Sequence, residues 1–185
     1  NGDGEIDLLA EFNFAASVNA AKRDLGSADG APTDFAAETD VAFRTGRALI
    51  TSAYEAGEQV DLAELMAQRD ILVASWENAY AATAIHYVNE VLADMEAIGS
   101  PDYSFADHAK HCSELKGFAL SFQFNPRSPM SADDVSALHA AVGDAPQGAS
   151  PVSPVDDETY RTQLLDARTL IGDAYDFDDT NLTTW

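Results

Sequence analysis

Side chains able to ligate a metal or move a proton are concentrated in one stretch, Phe105 to Phe124, FADHAKHCSELKGFALSFQF. Chief among them are His108, His111, Cys112 and Glu114. His111 and Glu114 form a His-x-x-Glu pair, and residues three apart on a helix project from one face. Imidazole with carboxylate suits a borderline or hard metal such as zinc or iron. Helix-borne pairs of this kind build metal sites in bundles when further helices add ligands. His86 and Glu90, four apart, are the obvious second contribution. Asp107 and His108 are a third, although Asp107 is also placed to cap the helix. The same residues admit a structural reading. His111 then donates to Glu114 or to a backbone carbonyl and satisfies a buried polar position. His86 admits that reading too, and His139 is expected to be solvated on a short surface helix.

Cys112 is the only cysteine, so no intrachain disulfide is possible. A nucleophilic thiol needs a base and an electropositive setting. Cys112 lies on the apolar stripe of a strongly acidic chain, which points to a buried, inert thiol. The sequence has no glycine-rich phosphate loop, no Gly-x-Ser-x-Gly elbow and no His-Glu-x-x-His motif.

A second ion is suggested by Asn1 to Asp7, NGDGEID, which has the centre of a calcium loop. Such loops set oxygen ligands at alternate positions around a glycine turn. Asn1, Asp3, Glu5 and Asp7 are the candidate calcium ligands. The first ligand position would precede Asn1, and the twelfth falls on Ala10, with Glu11 one residue late. The alternative is a polar loop that opens a helix.

The elements that position these groups all read as helices. Apolar residues at Phe105, Ala109, Cys112, Leu115, Phe118 and Phe122 recur in steps of three and four. Ser104 with Asp107 starts that helix, and Asn125-Pro126 stops it. A long helix from about Leu62 to Ile98 carries Leu65, Leu72, Trp76, Ala79, Thr83, Tyr87, Val91 and Met95 on one stripe. Ile85, Val88 and Leu92 widen the stripe, as in a helix buried on more than one side. Further helices are predicted over Ile6 to Leu25, Phe35 to Ala56, Ser131 to Val142, and from Ser153-Pro154 to about Tyr175. Trp185 is an aromatic able to anchor the tail. No alternating strand pattern persists. The fold class expected is all-α, one domain over residues 1–185, an up-and-down helical bundle of five or six helices.

Hydrophobic residues make up 46% of 185 residues, enough for a real core. The formal net charge is -22, from 32 acidic and 10 basic residues. That argues against nucleic acid and anionic membrane surfaces as partners. It fits solubility in salty or extracytoplasmic surroundings, or attraction of cations. No apolar run approaches about eighteen residues, so no transmembrane helix is expected. The abrupt start at Asn1 suggests a mature or trimmed fragment.

Three segments together resemble the bacterial domain of unknown function 4856. They are ASWENAYAATAIHYVNEVLADM (Ala74 to Met95), AKHCSELKGFALSFQFNPRSPM (Ala109 to Met130) and TLIGDAYDFDDTNLTTW. GEIDLLAEFNFAASVNAAKRD (Gly4 to Asp24) and TGRALI (Thr45 to Ile50) extend the likeness over nearly the whole chain. That family more usually shows tryptophan at the position of Cys112. It is similar in turn to imelysin-like proteins, iron-regulated helical proteins of the cell envelope with a Gly-x-His-x-x-Glu motif. His111 and Glu114 match its His-x-x-Glu, with Ala109 in place of the glycine.

The resemblance implies a secreted or lipid-anchored protein of Gram-negative bacteria, in the periplasm or at the outer membrane. It implies that this chain is the C-terminal half of a larger protein. The missing N-terminal helical half, or another envelope protein, would be its partner. The function expected is metal binding or metal acquisition, iron or zinc, without catalysis, through His111 and Glu114 with His86 and Glu90. The alternative is a structural or interaction module whose only ion is calcium at the Asn1 loop.

Overall fold

The computed structural model describes residues 15–26, 31–143 and 157–185. Among them are seven α-helices and no strand: α1 (Ala15–Ala20), α2 (Phe35–Ala56), α3 (Leu62–Ala97), α4 (Phe105–Ser121), α5 (Ala132–Val142), α6 (Asp157–Ala174) and α7 (Asp179–Thr184). Short 3-10 turns follow α1 at Ala21–Arg23 and α4 at Phe122–Phe124. The predicted five or six helices become seven because Asp178 accepts from the Thr180 N–H at 2.8 Å and starts α7 in the tail. The helix predicted over Ile6 to Leu25 is described only from Ala15. The proposed calcium ligands Asn1, Asp3, Glu5 and Asp7 lie outside the described residues.

Local chemistry sets the boundaries. Asp34 accepts from the Ala37 N–H at 2.9 Å to open α2, and Gly57 closes it at φ 69, a left-handed turn that glycine adopts without strain. Asp61 accepts from the Ala63 and Glu64 N–H groups at the start of α3. Ser104 does the same for Asp107 at α4. Ser131 and Asp134 form a reciprocal capping box at α5.

The packing is organised on α3, which touches α1, α2, α4, α6 and α7. The contacts run antiparallel. Glu38 accepts from Ser75 and Gly46 approaches Leu65, so α2 folds back along the first half of α3. His111 meets Asp94 while Phe118 packs on Tyr80 and Tyr87, so α4 runs back along the second half. Arg161 reaches Glu96 and Arg168 reaches Asn89, which sets α6 antiparallel as well. Successive residues Ala81, Ala82, Thr83, Ala84 and Ile85 have no exposure at all. The tail closes the arrangement. Asn89 Nδ2 donates to the Leu182 and Trp185 carbonyls, and the Trp185 ring packs on Phe177 at 4.7 Å.

Leu115 is fully enclosed in this core, whereas Tyr54 near the end of α2 is 85% exposed. Leu115→Ala is therefore expected to lower unfolding free energy by about 2–5 kcal/mol. Tyr54→Ala should change it by less than about 0.5 kcal/mol. Urea melts of the two variants measure both.

Candidate functional site

His86, Glu90 and Asp94 lie at consecutive turns of α3; Glu90 and Asp94 face His111 in the N-terminal half of α4, and His86 lies beside Glu90 and bonds the Trp185 backbone. From α4, His111 places Nδ1 at 2.7 Å from Asp94 Oδ2. A carboxylate accepts, so Nδ1 carries the hydrogen of this bond. His111 Nε2 points to Glu90, 3.8 Å from Oε2. On the other side of the same carboxylate, His86 Nε2 lies 4.0 Å from Oε1. Glu90 thus stands between two imidazoles, and its side chain is 42% exposed.

Tyr87 holds the two rings in place. Its ring meets His86 edge-on at 5.0 Å and tilts against His111 at 6.2 Å. Its hydroxyl accepts from Asn19 Nδ2 at 2.7 Å, and the Arg23 guanidinium lies over its ring at 5.7 Å. The N-terminal segment therefore forms the third wall. Burial, then the nearby Arg23 charge, lowers the His86 pKa to about 4, so this imidazole is neutral at physiological pH. Burial, with the neighbouring Glu114 carboxylate, raises the Tyr87 phenol above its usual range.

The sequence pairing of His111 with Glu114 does not form. His111 turns to Asp94 because a short charge-assisted bond is available there. Glu114 instead faces Lys110 at 3.9 Å and the Tyr87 side, with Oε2 buried and without a hydrogen-bond partner. His86 and Glu90 do join His111. Among the described residues, no three His, Cys, Asp or Glu groups as placed converge to hold a metal ion. Asp94, Tyr87, Asn19 and Arg23 were not anticipated. The signal for Asp94 was its spacing, one helical turn beyond Glu90.

The other singled-out residues lie elsewhere. Cys112 is buried, and desolvation pushes its thiol up to about 12, with the Asp94 charge adding to it. His108 has no exposure; Nδ1 lies 3.3 Å from the Tyr103 hydroxyl and Nε2 has no hydrogen-bond partner. His139, expected in solvent, has its Nε2 buried and unpartnered. The short helix that carries it is exposed on one face and packs against α4 and α6 on the other, and His139 lies at the border, partly buried. Asp107 serves at the α4 cap. No family model, curated protein or solved structure matches the chain.

Two outcomes follow from burial. The Cys112 thiol should resist a maleimide at pH 8 in the native protein and react fully in denaturant, read by mass spectrometry. Burial lowers the His108 pKa, so the unfolded chain takes the proton first. His108 should thus contribute stability that is intact above about pH 6.5 and lost as pH falls through its lowered native pKa. His108→Leu should flatten that acid-side fall relative to the native chain in melting curves from pH 7 to 4.

Proposed function

We propose that this chain is an extracytoplasmic metal-binding protein that serves metal acquisition as an accessory, without catalysis. In this reading it is an imelysin-like, up-and-down bundle related to the domain of unknown function 4856. The metal is iron or zinc. His86, Glu90 and His111 are its ligands, with Glu114, on the Tyr87 side, a further candidate carboxylate.

One observation carries the reading: Glu90 lies between the ε-nitrogens of two imidazoles, and Asp94 orients one of them through Nδ1. Ligating histidines characteristically donate their other ring nitrogen to a carboxylate, which fixes the tautomer and raises basicity. Ligand atoms about 2 Å from a common ion sit roughly 3–3.5 Å apart. The separations of 3.8 and 4.0 Å are wider, and the exposed Glu90 side chain has room to close them. Glu90, Asp94 and Glu114 outnumber Arg23 and Lys110 locally, which favours a cation.

Exposed apolar residues favour a second reading, an interaction module. Phe43, Ile50 and Tyr54 on α2, and Leu62, Met66 and Trp76 on α3, are all exposed and follow helical spacing. A helical partner, such as a further half of the protein or another envelope protein, would cover them. Calcium at the Asn1 loop belongs to this reading.

Chelator-stripped protein, dialysed against iron or zinc and assayed by plasma mass spectrometry, should retain about one equivalent. His111→Ala should abolish retention, and Asp94→Asn should weaken it roughly 10–100-fold. Unchanged affinity in His111→Ala would falsify the metal reading. Calcium alone, or no metal, would favour the interaction module.

A further inference from the structure

Nine residues before His86, roughly 13 Å along the α3 axis, a second acidic group is handled differently. Glu77 is 9% exposed. Its Oε1 accepts from the Tyr175 hydroxyl at 2.5 Å and its Oε2 from Asn125 Nδ2. Both donors are neutral. Arg127, the cation on the adjoining turn, directs its guanidinium to Asp70 at 3.8 Å instead. Among the described residues no Lys, Arg or His forms an ion pair with Glu77, so neutral donors alone fix its carboxyl group in place. Buried charges are ordinarily paired.

Glu77 also lines a groove of about 450 Å³ between α3 and the turn at Ser121–Pro126. Trp76, Tyr80 and Phe124 form aromatic walls, with Leu72 and Val73 beside them. Phe124 is 77% exposed and Trp76 is 48% exposed. Ring faces attract cations through their quadrupole, most strongly when the cation is weakly hydrated. A hard metal ion would need several oxygen ligands, which this apolar lining does not supply. An anion would be repelled by Glu77.

We propose that this groove binds a small organic ammonium ion, its alkylated nitrogen enclosed by Trp76, Tyr80 and Phe124 and its charge opposite Glu77. The groove volume is in the range of small-ligand sites. This site is separate from the histidines and stands whether or not they take a metal.

Choline and its neutral isostere 3,3-dimethylbutan-1-ol separate charge recognition from apolar filling. Titration of chelator-treated protein with each is followed by tryptophan fluorescence, with potassium chloride matching the ionic strength. The change should come from Trp76, since Trp185 is buried against Phe177, and Trp76→Phe should remove it. Choline should give a saturable change, with the isostere at least about tenfold weaker. Phe124→Ala, which removes an exposed ring, should weaken choline several-fold without altering the melting temperature. Glu77→Gln should bring choline and the isostere to equal affinity. Should that variant fail to fold, Phe124→Ala and the isostere comparison decide alone. Equal affinities in the native chain, or no saturable change up to about 50 mM choline, would overturn the proposal.

Discussion

Five successive residues of α3, Ala81 to Ile85, are sealed from solvent, and that constraint organises the rest of the molecule. Five residues exceed one turn at 3.6 residues per turn, so neighbours must lie on every side. Around α3 lie α1 with its 3-10 turn, α2, α4, α6 and α7. Three of the five are alanine, and the fourth, Thr83, returns its hydroxyl to the Ala79 carbonyl at 2.8 Å. Small side chains let backbones approach closely, and the only polar group in the run is satisfied by its own helix. A large or unpaired residue here would push a wall away, and with it the groups that the walls carry.

The candidate site depends on that enclosure. His86, Glu90 and Asp94 lie on the turns just beyond the sealed run, where α4 still covers α3. Tyr87, wedged between the histidine rings, touches Phe118 of α4 and Asn19 of the N-terminal segment. It thereby couples the site to three elements at once. On the neighbouring face Asn89 bonds Arg168 on α6 and the last carbonyls of the tail. Rotation of α3 is blocked from both directions, which fixes where Glu90 can go.

Much of the fold was legible in the sequence because its signals are local. Ser104 with Asp107 marked the start of α4, and Asn125-Pro126 marked where its helical run must stop. The small helix α7 escaped because six residues carry too little periodicity to stand out. The site was half legible. His86, Glu90 and His111 were identified from residue type and spacing. Partnership was not, because it depends on which side of α4 meets α3. His-x-x-Glu states only that two side chains share a face of one helix. The 2.7 Å bond from His111 crosses to a residue seventeen positions earlier, and no single-helix pattern encodes that. Glu77 was invisible for the same reason: its donors, Tyr175 and Asn125, come from distant segments.

The acids of α3 differ less in type than in how far the helix is covered around them. Asp94 lies under α4 and is committed to His111. Glu77 is also covered, and neutral donors alone reach it, so its geometry is fixed without a cation. Glu90 is at the edge of cover, 3.8 to 4.0 Å from two imidazoles and bonded to neither. Toward the N-terminal end of α3, where α2 is the main cover, Asp70 pairs only with exposed arginines. In water such pairs contribute little. Binding capacity on this helix is therefore expected at the border of its enclosed region. There, groups are desolvated enough to attract an ion strongly and accessible enough to be reached by one.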